Sequence, residues 1–152
     1  MTVKAWLNAK GWDEVVAYLK SLGYRVLCID KNSEQTDHGL TIKMPAGAED
    51  FTGDISLLER VNLLAYAEFF IGLGSGLSWL AWAVDIPVIL ISGITSSWCE
   101  FENPYRVINR QVCNSCHNDT TLKWPQFELC PYHKNTPRAY ECSRAISGRQ
   151  VI

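Results

Sequence analysis

The chain has 152 residues, 47% hydrophobic and 20% charged, with a net charge of −2 and a pI near 5.9. That is enough for one folded domain with a sizeable core, it is not the composition of a disordered chain, and it lacks the basic excess of a dedicated nucleic-acid binder. Residues 1–99 hold 7 basic and 11 acidic groups and residues 100–152 hold 7 and 5, too slight an imbalance to imply a polyanionic partner.

The first residues lack a basic region, an apolar core and a small-residue cleavage site, so no secretory leader is expected. No membrane span is expected either. The longest uncharged apolar stretch, Phe69 to Val84, has 16 residues, short of the roughly 20 a spanning helix needs. Met1 to Leu7 holds an apolar alternation that suggests a strand end. Gly11 opens a helix with Trp12, Val15, Val16, Leu19 and Leu22 on one face, and Gly23 stops it. Tyr24 to Asp30 reads as a strand and Lys31 to Gly39 as a polar loop. Leu40 to Met44 suggests a short strand, followed by a loop to Gly53. Ser56 and Glu59 have the spacing of a capping box. They open a helix whose buried face is expected to be Leu57, Leu58, Val61, Leu64 and Ala65.

Phe69 to Leu73 is a short apolar run, as in a strand buried on both faces. Gly74, Ser75 and Gly76 break it. From Leu77 the period becomes helical, with Leu77, Leu80, Ala81 and Val84 on one face. Asp85 to Pro87 ends the helix, because the residue before a proline is pushed out of the α region. Pro87 to Ile91 is a second buried run, so the unit is a parallel βαβ. Ile94 to Pro104 reads as a loop carrying Trp98 and Phe101, and Tyr105 to Asn109 as one more strand. The whole pattern predicts an α/β fold, an open and mostly parallel sheet with helices on both faces. Ligands on such sheets sit at the carboxyl ends of the strands, where the Gly74–Gly76 turn lies. Its glycines allow close approach, Ser75 can cap the helix, and the helix N-terminus suits a phosphate. The same three residues also serve as a plain tight connection.

From Arg110 onward periodicity is lost, and the sequence divides at residues 1–109 and 110–152. Of six cysteines, Cys28 lies in a strand and Cys99 in a loop. The other four follow the spacing Cys113-x2-Cys116-x13-Cys130-x11-Cys142. Two thiolates on one small turn and two more downstream fit a tetrahedral metal site; free thiols or disulfides are the alternatives. Such a centre is closed and structural, and spacing alone points to zinc, with iron chemically possible. His117 and His133 are the substitute ligands, read as surface residues because four cysteines suffice.

The run from Asp54 to Ala83, with Glu-Phe-Phe-Ile-Gly-Leu-Gly-Ser-Gly-Leu-Ser-Trp at its centre, resembles the donor-binding half of the ADP-heptose glycosyltransferases. Gly11-Trp12-Asp13, the segment from Glu102 to Cys116, and Cys130-Pro-Tyr-His-Lys are similar to the bacterial autotransporter heptosyltransferases in particular. The resemblance covers nearly all of the chain. It implies a Rossmann-like domain, the C-terminal half of a GT-B fold. It implies ADP-heptose as donor, serine residues of autotransporter adhesins as acceptors, a cytoplasmic location and a large homo-oligomer. It implies that Cys113, Cys116, Cys130 and Cys142 form an iron finger holding ferric iron. By position, Gly74, Ser75, Gly76 and Leu77 match the donor diphosphate loop. Lys4 matches a basic residue facing the phosphates, with a solvated terminal lysine as the alternative. Glu59 falls near an acidic position on the ribose, with the capping box as the alternative. The lipopolysaccharide enzymes have histidine where this chain has Trp79. The general base is expected on a domain outside this chain, so no catalytic residue is assigned here and sugar transfer by the chain alone is not expected.

Three other classes compete with this reading: a non-enzymatic assembly module, a dinucleotide oxidoreductase domain with structural zinc, and a nucleic-acid zinc ribbon. The second wants a third glycine where Trp79 stands. The third wants a more basic tail.

Overall fold

The computed structural model describes residues 4–123 and 126–152. β5 (Phe70–Leu73) and β6 (Val88–Ile91) pair in parallel, from Phe70 opposite Val88 to Leu73 opposite Ile91, with α3 (Gly76–Ala83) between them. β7 (Arg106–Val107) adds to the other edge of β6, also parallel. Side chains alternate across a strand, and both faces of β6 are covered. Val88 and Leu90 join Leu64, Ala81 and Phe101 in one core, while Ile91 joins Trp6, Val15, Ile146 and Val151 in another. α2 (Leu57–Ala65) and α3 supply the first face; α1 (Gly11–Ser21) and α5 (Gly148–Val151) supply the second. This is the helix-on-both-faces α/β arrangement expected from the sequence. Leu90 and Ile146 have no exposed surface, and burying each contributes about 1.5–3 kcal/mol.

The helix ends follow local chemistry. In α1, the Gly23 N–H bonds Lys20 O at 3.0 Å and the Tyr24 N–H bonds Leu19 O at 3.1 Å, the paired bonds of a Schellman cap. α3 ends the same way. Asp85 takes a φ of +61°, its N–H bonds Trp82 O, and the Ile86 N–H bonds Ala81 O. The left-handed turn at Asp85 therefore closes the helix ahead of Pro87. The capping box of α2 is present, with Ser56 Oγ accepting from the Glu59 N–H at 3.2 Å and Glu59 Oε2 from the Ser56 N–H at 2.8 Å.

Several expectations are corrected. Lys31 to Gly39 is not a loop, because β2 (Glu34–Asp37) lies in it and pairs antiparallel with β3 (Leu40–Lys43) through a turn at His38 and Gly39. Both turn residues have positive φ, +50° and +74°, as a two-residue hairpin requires. The strand expected over Tyr24 to Asp30 is only β1 (Leu27–Cys28), paired in parallel with β4 (Glu49–Asp50), which the sequence placed in a loop. Among the described residues the strands thus fall into three sheets. On α2, Leu57 and Leu58 are each 68% exposed and Ala65 is exposed; the buried positions are Arg60 and Leu64. Arg60 is turned inward because its guanidinium donates to the carbonyls of Ile29, Asp30 and Gly53. Of the strand end expected at Met1 to Leu7, residues 1–3 lie outside the described residues and residues 4–7 form no strand.

The C-terminal segment returns to the N-terminal one. Around α4 (Glu141–Arg144), Ser143 Oγ donates to Ala5 O and accepts from the Leu7 N–H, and Trp6 Nε1 donates to Ile146 O. Among the described residues, no helix is long and apolar enough to cross a membrane.

Candidate functional site

Gly74, Ser75 and Gly76 stand where the sequence places them, between the carboxyl end of β5 and the first turn of α3. Ser75 is the N-cap residue, with φ −140° and ψ 177°. The Ser78 hydroxyl bridges back to it, accepting from the Ser75 N–H at 3.2 Å and donating to Ser75 O at 2.7 Å. The first helical N–H groups, on Gly76 and Leu77, leave the helix end toward the turn, where the dipole is positive. Nothing lies within 4 Å of a side chain built on Gly76, so the space above the turn is open. Lys4 joins the turn from the other end of the chain, its Nζ donating to Gly74 O at 2.8 Å. An ammonium thus stands on the turn that precedes a helix N-terminus, an arrangement suited to a phosphorylated ligand.

Three side chains the sequence reading passed over complete this edge. A Cβ on Gly74 would run into Glu100 Oε1, so the carboxylate occupies the space the glycine leaves. Glu100 accepts from Thr95 Oγ1 at 2.8 Å and pairs with Arg106, and both charged side chains are nearly buried, 4% and 10% exposed. Arg106 also donates to Ser92 Oγ. Thr95 and Glu100 lie in an aperiodic loop, and only the parallel crossover from β6 to β7 brings them over β5. Residues that meet in this way leave no local pattern.

Glu59 sits at the cap of α2, and its hydrogen bonds to Ser56 hold its carboxyl below the usual range. Trp79, one turn along α3 from Gly76, is 43% exposed and packs edge-on against Phe101 and Trp82. With Glu102, Asn103 and Pro104 these rings line an open groove.

The second constellation is the cysteine centre. Cys113, Cys116, Cys130 and Cys142 line one small cavity, of about 20 Å³. Among the described residues no disulfide forms. Burial first, and the neighbouring sulfurs after it, push the Cys116 thiol up to about 11 and the Cys142 thiol up to about 12. The backbone N–H of Tyr140 donates to Cys130 Sγ at 3.2 Å. Ser115, Cys130, Asn135 and Tyr140 all have positive φ, a conformation that costs a non-glycine residue about 1–3 kcal/mol. His133 is not a surface residue, as its side chain is 18% exposed and lies 3.5 Å from Glu141 Oε1. Cys113, His133 and Glu141 bring possible ligand atoms within 4.8 Å of one another. The Glu141 carboxylate, however, already takes two bonds from Arg138, at 2.7 and 3.0 Å, and one from the Cys113 N–H. The two constellations touch: Ser115 N–H bonds Gly93 O and His117 N–H bonds Ile94 O, in the loop that carries Thr95.

The chain is 57% identical over 150 residues to the autotransporter heptosyltransferase BAHTCr of Citrobacter rodentium, covering 97% of this chain and 37% of that protein. It is 39% identical over 148 residues to BimC of Burkholderia thailandensis, described as an inactive autotransporter heptosyltransferase, covering 96% and 35%. The crystal structure of TibC from enterotoxigenic Escherichia coli H10407, an iron-containing dodecameric glycosyltransferase, superposes with a TM-score of 0.93 at 54% identity, over 98% of this chain and 41% of that one. A second TibC structure holds ADP-D-β-D-heptose. The chain therefore spans little more than a third of the curated relatives it matches. Residues 1–130 match glycosyltransferase family 9, the heptosyltransferases, and the chain belongs to that family.

Proposed function

We propose that this chain is the donor-binding part of a protein O-heptosyltransferase, one that takes heptose from ADP-heptose to serine residues of autotransporter adhesins. The observation that carries this is Lys4 Nζ on Gly74 O at the N-terminus of α3, on the carboxyl edge of the parallel strands. In this reading residues 1–109 hold the donor and residues 110–152 form the metal finger and the C-terminal tail. Lys4, Gly74, Ser75, Gly76 and Leu77 bind the diphosphate, where a cation and aligned N–H groups offset the charge on the leaving group. Glu59 takes the ribose, in competition with its bond to Ser56. The base comes from the part of the enzyme outside this chain, the protein assembles as a homo-oligomer, and it acts in the bacterial cytoplasm.

In the same reading Cys113, Cys116, Cys130 and Cys142 hold one metal ion: iron by likeness to the iron-containing TibC, ferric as the family resemblance implies, with zinc the choice from spacing alone. The four thiols fit such an ion. They face one cavity, they oppose one another's ionisation, and the nearby carboxylate is spent on Arg138. A metal bound there ties four chain segments together and leaves no open position for substrate.

The test is a calorimetric titration of the purified chain with ADP, ADP-heptose, UDP and NAD. The expected result is binding of ADP and ADP-heptose ahead of the other two, with no heptose transfer by the chain alone. A second reading, a metal-stabilised assembly module without donor binding, is favoured by one fact: BimC, a relative over the same span, is described as inactive. Failure of folded, metal-loaded protein to bind any of the four nucleotides would put that reading first.

A further inference from the structure

We propose that Glu100 is a positioning residue, whose buried carboxylate holds the Gly74–Gly76 turn in the shape that receives the donor diphosphate; this rests on the reading of that turn as the donor site. A carboxylate beside an anion site is unfavourable unless something else requires it. Its charge is cancelled by Arg106, which leaves Lys4 as the cation of the turn. What remains is its reach. Glu100 Oε1 fills the volume of the absent Gly74 side chain. It is pinned from two sides, by Thr95 Oγ1 on Oε1 and by Arg106 on Oε2. With both oxygens held and 4% of the side chain exposed, it has no room to swing away. Gly74 is thus gripped between Lys4, on its carbonyl, and Glu100, against its Cα. A turn fixed in this way presents its N–H groups to the ligand without first losing conformational freedom, which is the usual gain from preorganisation.

Reach and charge can be separated. Glu100→Gln keeps the length and removes the charge; Glu100→Asp keeps the charge and draws the oxygens back by one methylene. With ADP as probe, read by calorimetry on metal-loaded chain and with thermal melts as the folding check, Glu100→Gln should bind within about threefold of the parent and Glu100→Asp at least about tenfold more weakly. Gly74→Ala, which leaves the ion pair in place but drives a methyl into Glu100, should also lose about tenfold or more. The double variant Gly74→Ala/Glu100→Asp should lose no more than the weaker single, because both changes break one contact. Parent affinity in Glu100→Asp, an equal loss in Glu100→Gln, or strictly multiplicative losses in the double variant would each overturn the proposal. Should Glu100→Asp not fold, Gly74→Ala decides alone, and parent affinity there overturns it. If the parent itself binds no ADP, the donor-site reading fails and the proposal with it; if the parent binds and the variants match it, only the role of Glu100 fails.

Discussion

Lys4 and Gly76 probe the turn from opposite directions. Gly76 is the first residue of α3 and has nothing within 4 Å of a built side chain. Gly76→Val therefore adds three carbons into open space and should fold and melt like the parent. If the turn takes a phosphate, the same carbons stand where the ligand approaches, and ADP affinity should fall by about tenfold or more. Lys4→Ala removes a charged donor instead. A hydrogen bond to a charged group is worth about 1.5–3 kcal/mol, so ADP should bind roughly ten- to a hundredfold more weakly. Adenosine, which has no phosphate, should be unaffected by either change. A loss shared equally by adenosine would mean that these residues hold the fold and not the phosphates.

Among the elements, α2 offers the cleanest test of a cap against a ligand contact. Ser56→Ala removes the hydroxyl that Glu59 N–H bonds and should cost about 1 kcal/mol, a fall in Tm of roughly 2–4 °C for a chain of this size. If Glu59 also holds ribose, Glu59→Gln should weaken ADP binding while Ser56→Ala does not; if both changes move only Tm, the cap is its whole duty. That cap was legible because it is local, as were the stop at Gly23 and the apolar runs of β5 and β6; the end of α3 was placed by Pro87, whereas the left-handed Asp85 closes it. The hairpin was not. Glu34 to Thr36 are exposed on β2, so no apolar alternation marks the strand, and its only signal is the left-handed pair His38-Gly39. β1 and β4 are two residues each and exist through pairing between distant segments. Leu57 and Leu58 misled for another reason: periodicity finds an apolar stripe but does not say what covers it, and here the described residues leave that stripe exposed. At the site, the Gly74 turn and the four cysteines were visible as motifs. Thr95, Glu100 and Arg106 were not, because a crossover between strands assembles them.

Across the molecule, the cysteine centre and the turn are joined by two routes, which makes the metal a test of the whole arrangement. One route runs from the Cys113–Cys116 knuckle through Gly93 and Ile94 to Thr95 and Glu100. The other runs from Cys142 to Ser143, whose hydroxyl bonds Ala5 and Leu7 on either side of Trp6, next to Lys4. Residues 110–146 lack apolar periodicity in sequence, and Ser115, Cys130, Asn135 and Tyr140 carry left-handed backbone, so a metal, if the four cysteines hold one, would add a constraint there. The thiols set the pH dependence. Burial and mutual repulsion hold Cys116 and Cys142 protonated to about 11 and about 12 without metal. If these thiols take a metal, it must displace those protons, so its affinity should rise with pH below these values and the ion should be released as pH falls. Chelation at neutral pH under reducing conditions should then increase amide exchange at 113–118 and 140–146, and also at 4–7 and 93–96, while the hairpin at 34–43 stays as it was. ADP affinity should fall by at least about tenfold, as much as in Lys4→Ala, and Lys4→Ala should cost little more in the metal-free chain because the two changes release the same contact. Full ADP affinity after verified loss of metal would show that the sheet edge holds the turn unaided and would confine the cysteine centre to its own lobe.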